Sequence, residues 1–129
     1  MNLRIERMSP ALAADYFDFF DNRAFSDGSP YGPCYCCAFQ MTKAQIEDEF
    51  FAAGRALGGG REGMRKALRA SAQRRVAEGI VQGYLAYDGD ATVGWCNVND
   101  RQNYVRVGEF SLDAVPQEET APDCERGKV

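Results

Sequence analysis

The segment over residues 80–98 restricts the fold of this chain more than any other part of the sequence. Two runs with the composition of β-strands, 80–87 and 91–98, flank the turn Asp88-Gly89-Asp90. An Asp-Gly pair between two such runs is a strong signal for a β-hairpin, because the tight turns that match strand twist require positive φ angles. The sequence therefore predicts an antiparallel hairpin in the second half of the chain.

The beginning of the chain predicts a short strand followed by a helix. Residues 3–8 alternate between apolar and polar side chains, as a half-buried strand does. Ser9 and Pro10 are typical of a helix N-cap and first helical position, and the helix is expected to end near Phe25. The residues predicted to face the core in this helix are Leu12, Tyr16, Phe19, Phe20 and Ala24.

Two further helices are predicted between a turn-rich loop over 26–33 and the hairpin. Thr42 and Gln45 have the spacing of a capping box, and the helix that they begin is expected to end at Gly58. A third helix is expected after the glycines. The apolar residues predicted to form the buried faces are Ile46, Phe50, Ala53 and Leu57 in the second helix, and Met64, Leu68, Ala72 and Val76 in the third.

The order strand–helix–helix–helix–hairpin predicts an α+β fold with layered helices and a mixed or antiparallel sheet. With 129 residues, of which 45% are hydrophobic, one domain is expected over 1–115, followed by an acidic, flexible tail over 116–129. The chain has no long apolar run and no export signal, which favours a soluble cytoplasmic protein without a membrane partner. Five cysteines in such a chain favour reduced thiols over a disulfide framework.

Charge is distributed unevenly along the chain. The formal net charge of −4 disfavours a dedicated nucleic-acid binder, which would need a basic surface. The basic run is expected to be the solvated face of the third helix, although contact with nucleic acid, an acidic partner or the acidic tail is a second interpretation. The basic residues of this run are Arg61, Arg65, Lys66, Arg69, Arg74 and Arg75, and the acidic ones near the end of the chain are Glu109, Asp113, Glu118, Glu119, Asp123 and Glu125.

Two helices, a loop and a hairpin containing Val93-Gly94-Trp95 resemble the opening of the GNAT superfamily of N-acetyltransferases. Further similarity lies at Cys34-Tyr35-Cys36, at the helix over 65–69, and in the loop through Asp100, Arg101 and Tyr104. The resemblance extends over residues 3–115 and implies transfer of an acetyl group from acetyl-CoA to a small-molecule or protein amine. It also implies that the hairpin contains the second and third strands of the sheet.

The resemblance also implies a pyrophosphate-binding loop, Gln/Arg-x-x-Gly-x-Gly/Ala, between a fourth strand and a helix, where free backbone N–H groups hold acetyl-CoA. The letters of that pattern occur at 55–60, but after a helix and before the hairpin, so they predict a helix end and linker. The expectation is therefore an amino-terminal portion of the fold, truncated before this loop and inactive or weak on its own. No residue is assigned as the catalytic base.

The candidate acceptor-binding residues lie at the end of the hairpin. In the resembled fold the central strands splay near the acetyl group, so side chains at this point are expected to line the acceptor pocket. A core position is the alternative for the tryptophan. The candidate residues are Trp95, Cys96, Asn97 and Asn99.

Three closely spaced cysteines, Cys34, Cys36 and Cys37, could supply thiolates to zinc or a nucleophile. Their spacing is shorter than that of usual zinc pairs, and the chain contains no histidine that would complete a metal site or act as a base. Buried thiols that pack as small hydrophobic groups are therefore expected, with no metal.

A second class of function follows from the strand over 91–98. If that strand has no neighbour on its outer side, its unpaired backbone groups can pair with another chain. The alternative function is thus a non-catalytic interaction module that forms a homodimer, or binds a partner protein, through the edge of the hairpin.

Overall fold

The structure is a computed structural model that describes residues 2–26 and 34–105. Its elements confirm the α+β class, with three helices and a three-stranded antiparallel sheet. One helix over 43–56, here called α2, combines an α-helical turn (Lys43–Ile46), a π-helical segment (Glu47–Ala52) and a second α-helical turn (Ala53–Ala56). The other elements are β1 (Leu3–Arg7), α1 (Ala13–Asn22), α3 (Gly60–Ala77), β2 (Gly83–Asp88) and β3 (Ala91–Asn97).

The predicted hairpin is confirmed, and it forms two thirds of the sheet. β2 lies between β1 and β3 and pairs antiparallel with both. The pairing of β2 with β3 shifts by one residue between Ala86 and Tyr87, which is a β-bulge. β2 begins at Gly83, three residues later than the composition suggests, because 80–82 lead in from α3 without forming the ladder.

The helices cover one face of the sheet, and the core lies between them. The buried cluster joins Tyr16 and Phe17 of α1, Val76 of α3, and Leu85 and Tyr87 of β2. On the opposite face, in contrast, several large apolar side chains are exposed within the described residues. These are Leu3 (56% exposed), Ile5 (58%) and Tyr84 (42%). Val93, at the β-bulge in β3, is 44% exposed as well.

The first helix differs in detail from its prediction. Pro10 begins a short 3₁₀ turn, Pro10–Leu12, before the α-helix, and the side chain of Ser9 makes no capping hydrogen bond. The α-helix ends at Asn22 rather than near Phe25, and turns follow up to Ser26. Phe17, which the predicted stripe omitted, is buried beside Tyr16 because the helix packs against both α3 and the sheet.

The capping box that begins α2 is confirmed: Thr42 Oγ1 accepts from the N–H of Gln45 at 3.1 Å, and Gln45 Oε1 accepts from the N–H of Thr42 at 2.8 Å. The predicted buried face of this helix is correct at Phe50 and wrong at Leu57, which is 46% exposed. The π-helical segment is the reason, since its wider turn shifts all later residues around the axis.

Helices α2 and α3 are joined by a tight glycine-rich turn and pack closely. Gly58, Gly59 and Gly60 all have positive φ angles, so this stretch is a turn between two helices, as predicted. A Cβ atom on Gly63 would lie 2.5 Å from the carbonyl oxygen of Gly54. The buried face of α3 accordingly begins at Gly63 and Ala67, one residue before the predicted Met64 and Leu68.

In the described part of the chain, no helix is long and apolar enough to cross a membrane. The loop through Asp100, Arg101 and Tyr104 contains a 3₁₀ turn, Arg101–Asn103. The end of the predicted domain, 106–115, and the predicted tail over 116–129 lie outside the described residues.

Candidate functional site

The loop that carries the three cysteines is tied to the end of β3 by Asn97. The Asn97 side-chain N–H₂ donates to the carbonyl oxygen of Cys36 at 2.9 Å. Its oxygen, Oδ1, accepts from the hydroxyl of Tyr104 at 2.7 Å. Because both ends of this carboxamide are occupied, Asn97 fixes the loop, the strand end and the residue after the 3₁₀ turn relative to one another.

The backbone of this loop is strained at Cys36, which has a φ angle of 59° although it is not glycine. Left-handed backbone at a non-glycine residue costs free energy and persists where surrounding contacts impose it. Here the Cys36 N–H donates to Cys34 Sγ at 3.3 Å, and the Cys36 carbonyl accepts from Asn97. The loop is therefore held in one particular shape beside β3.

Two of the three thiols of this loop, those of Cys34 and Cys37, are poor nucleophiles at neutral pH. Burial raises the pKa of Cys34, and burial raises the pKa of Cys37 to about 12, so both stay protonated. The Cys37 thiol donates to the carbonyl oxygen of Tyr35 at 3.3 Å. The four described cysteines form no disulfide, and Cys37 is the only buried one among them. The prediction of buried thiols is therefore correct for Cys37 and wrong for Cys34 and Cys36, which are partly exposed.

Trp95 lies on the helix-covered face of β3 and packs into the core. Its ring meets the Tyr16 ring edge to face, with centroids 5.1 Å apart. The buried Tyr16 hydroxyl donates to the carbonyl oxygen of Tyr35, and burial raises the Tyr16 pKa far above its usual value. The indole N–H of Trp95 is buried and has no hydrogen-bond partner, so this tryptophan combines a core position with an unsatisfied donor.

The four candidate acceptor-binding residues do not converge on one point. Trp95 and Asn97 lie on the helix-covered face, whereas Cys96 is exposed on the other face, as strand alternation requires. Asn99 lies beyond the strand, where its Oδ1 accepts from the N–H of Asp100 at 2.8 Å and from the side chain of Asn103 at 2.7 Å. The structure thus separates a strand-end cluster around Asn97 from a second site around Asn99.

The second site is a cavity of about 360 Å³ next to Asn99. Four carboxamide side chains line it, from three separate segments of the chain, together with Gly79, Ile80 and Val105. The sequence predicts only Asn99 of these, because Gln40 and Gln82 are distant from it in sequence and none of the others belongs to a motif. The four carboxamide residues are Gln40, Gln82, Asn99 and Asn103.

A larger groove of about 650 Å³ lies between α1 and α3. Phe17 and Val76 contribute apolar surface, and Asp21 and Arg69 form an ion pair at 2.8 Å beside them. The hydrogen bonds from Arg69 keep the pKa of Asp21 low, and the Arg69 guanidinium stacks over the Phe17 ring at 4.8 Å. The charged groups of this groove are therefore already paired within the protein.

The basic run of α3 is largely neutralised by intramolecular ion pairs. Arg69 pairs with Asp21, and Arg74 and Arg75 both pair with Glu49 of α2. Arg65 pairs with Glu62 one turn away. Several of these arginines thus join helices together instead of presenting the free, solvated face that the sequence predicts.

No group of three or more Cys, Asp or Glu side chains within 2–26 and 34–105 is arranged to hold a metal ion. Searches against protein-family models, curated proteins and solved structures find no match to this chain.

Proposed function

We propose that this chain belongs to a GNAT-type N-acetyltransferase that transfers an acetyl group from acetyl-CoA to an amine. The support is the order of elements: β1, three helices and the β2–β3 hairpin, in an antiparallel sheet whose strand order follows the sequence. This order agrees with the resemblance that the sequence shows around Val93-Gly94-Trp95. The support comes from the order of the elements as a whole and not from any single helix or strand.

In this proposal the strand-end cluster, which consists of Asn97, Cys36 and Tyr104, forms one wall of the acceptor site. Asn97 holds the Cys36 backbone at 2.9 Å and the Tyr104 hydroxyl at 2.7 Å, so three segments keep a fixed arrangement. In the transfer, the amine nitrogen attacks the thioester carbonyl of acetyl-CoA, the carbon–sulfur bond breaks to release the coenzyme A thiolate, and the proton that the amine loses passes to that thiolate. A rigid wall orients the amine for this attack, which is how positioning residues accelerate a two-substrate reaction.

The direct test uses the purified product of the complete reading frame, incubated with acetyl-CoA and a panel of polyamines, amino sugars and peptides with free amino termini. We expect one class of amine to gain a single acetyl group, detected by mass spectrometry, and calorimetry to detect acetyl-CoA binding. If acetyl-CoA does not bind and no amine is acetylated, the proposal is wrong.

Two neighbouring residues of β3 provide a matched pair of variants for the acceptor wall. Asn97→Ala removes the link between the cysteine loop and Tyr104, so kcat/KM for the amine should fall about tenfold, which corresponds to roughly 1.4 kcal/mol. Cys96→Ala changes an exposed side chain on the other face and should leave kcat/KM unchanged. Equal effects of the two substitutions would contradict the role of the cluster.

A second candidate function, an interaction module, is favoured by one observation. Within the described residues β3 pairs on one side only, with β2, and apolar side chains lie exposed on the adjoining sheet face. Such an edge can add a strand from another copy or from a partner protein. Sedimentation over a range of concentrations tests this function, and a monomer at every concentration would argue against it.

A further inference from the structure

We propose that the carboxamide-lined cavity beside Asn99 is a binding site for a neutral, planar primary carboxamide group. The cavity lies where the 3₁₀ turn that ends at Gln40, the segment 79–82 after α3, and the turn over 99–103 meet. Its volume, about 360 Å³, is within the range of pockets that hold small organic ligands. The inference does not depend on the acetyltransferase proposal.

The strongest observation is the state of the Gln40 side chain. Both polar atoms of its carboxamide, Nε2 and Oε1, are buried and have no hydrogen-bond partner. Burying such a group without a partner is unfavourable, and native structures rarely leave one without a protein, water or ligand partner. A glutamine in this state at a cavity offers one donor and one acceptor to a group that enters the cavity. A planar amide presents the complementary acceptor and donor.

The rest of the lining favours a neutral ligand over an ion. The side chains that line the cavity carry no charge, and four of them end in carboxamides. A carboxylate would find donors but no compensating positive charge, and an ammonium group would find no carboxylate. Ile80 and Val105 add apolar surface for the carbon atoms of the ligand.

One part of the cavity is already rigid. Asn99 accepts from Asn103 at 2.7 Å and from the Asp100 N–H at 2.8 Å, which fixes the turn that forms one wall. A prearranged wall reduces the entropy that a ligand must lose on binding. The cavity thus combines the unpartnered carboxamide of Gln40 with a wall that needs no reorganisation.

The test is an NMR titration of the whole 129-residue chain with N-acetylglycinamide, and in parallel with the anion N-acetylglycinate. The two probes have the same shape, but only the first has a neutral primary carboxamide. We expect saturable shifts of the side-chain N–H₂ signals of Gln40, Asn99 and Asn103 with the neutral probe. The affinity for the anion should be at least about tenfold lower. If the shifts do not saturate, or if both probes bind equally, the inference is wrong.

Substitutions locate the binding. Gln40→Met retains the length of the side chain but removes its donor and acceptor, and should weaken binding of N-acetylglycinamide at least about tenfold. The control Gln102→Met makes the same chemical change at an exposed neighbour of the cavity and should bind as the unsubstituted chain does. Gln82→Met, at an exposed residue that lines the cavity, tests the site independently if Gln40→Met fails to fold, and should also weaken binding. Unchanged affinity in both lining variants would overturn the inference.

Discussion

Gly83 and Gln40 are two residues at which a change of side chain should alter the stability of the protein. Gly83 begins β2 at a φ angle of 149°, and a Cβ atom there would lie 2.0 Å from the carbonyl oxygen of Cys96 and 2.8 Å from the Trp95 ring. Gln40, in contrast, is unfavourable to the fold, because its buried carboxamide has no partner. The two residues thus predict substitution effects of opposite sign.

Gly83→Ala should destabilise the protein by about 3 kcal/mol or more, since the methyl group collides with backbone that cannot move without opening the β2–β3 ladder. The control is Gly89→Ala in the hairpin turn, where φ is 62° but no atom lies within 4 Å of the added Cβ. That substitution should cost only the backbone strain, about 1 kcal/mol. Urea unfolding measures both, and a smaller loss for Gly83→Ala than for Gly89→Ala would contradict the close approach.

Gln40→Met should stabilise the protein, by about 1–2 kcal/mol, because it removes an unpaired buried carboxamide while filling similar space. Gln102→Met, at an exposed residue, should change the free energy of unfolding little. The comparison is made by thermal or urea unfolding without ligand. A destabilised Gln40→Met variant would indicate that the carboxamide has a partner in solution.

At the scale of the elements, Glu49 is the group that connects α2 to α3. It lies in the π-helical segment and accepts hydrogen bonds from Ser71 at 3.0 Å and Arg75 at 2.6 Å, with Arg74 at 3.1 Å. The side chains of Arg75 and Glu49 are only 12% and 19% exposed, so this pair is shielded from solvent. The hydrogen bonds from Arg75 are the main reason why the Glu49 pKa falls to about 2.

Glu49→Gln should destabilise the protein by about 2 kcal/mol at neutral pH, because it leaves the shielded Arg75 charge without its partner. A carboxyl whose pKa is lowered by folding contributes its stability above its unfolded pKa and loses it as the pH falls. The difference between the unsubstituted chain and Glu49→Gln should therefore shrink as the pH falls from 4.5 towards about 2. Urea unfolding at several pH values measures it.

The control for this prediction is Glu47→Gln in the same helix. Glu47 pairs with Arg55 at 3.3 Å, but both side chains are more than 60% exposed, so the loss of that pair should change stability little. If the effect of Glu49→Gln is as small as that of Glu47→Gln, or does not vary with pH, the shielded pair does not join the helices as argued.

Elements with local signals could be predicted from the sequence. The hairpin over 83–97 and the capping box at Thr42 depend on residues within a few positions of one another, and both are found. The π-helical segment could not be predicted, since its sequence, Glu47–Ala52, has no feature that separates it from an α-helix. The exposed Leu57 follows from that segment, and the same kind of nonlocal packing decides the burial of Phe17.

At the scale of the whole molecule, the candidate sites lie where separate segments meet. Asn97 and Asn99 could be selected because they lie at the end of a predicted strand, but their different surroundings depend on the loop over 34–37 and the turn over 99–103. Gln40 could not be selected, because it joins Asn99 at one cavity only when the chain folds. Sequence patterns thus identified the end of β3 as the region of interest and could not divide it into two sites.

The sheet has one covered face and one face with exposed apolar side chains, and β3 pairs on one side only within the described residues. If the interaction-module function is correct, the isolated chain should self-associate through this face and edge at high concentration, since apolar sheet surface beside an unpaired edge favours strand addition. Val93→Lys places a charge at the exposed bulge of β3, the strand with the unpaired edge, and should shift the assembly to monomer. Val98→Lys changes a residue of similar exposure, 46% against 44%, beyond the end of β3, and should associate as the unsubstituted chain does. Analytical ultracentrifugation distinguishes the outcomes. Equal association of both variants would place the contact elsewhere on the molecule. A monomeric unsubstituted chain would contradict self-association through this face and edge.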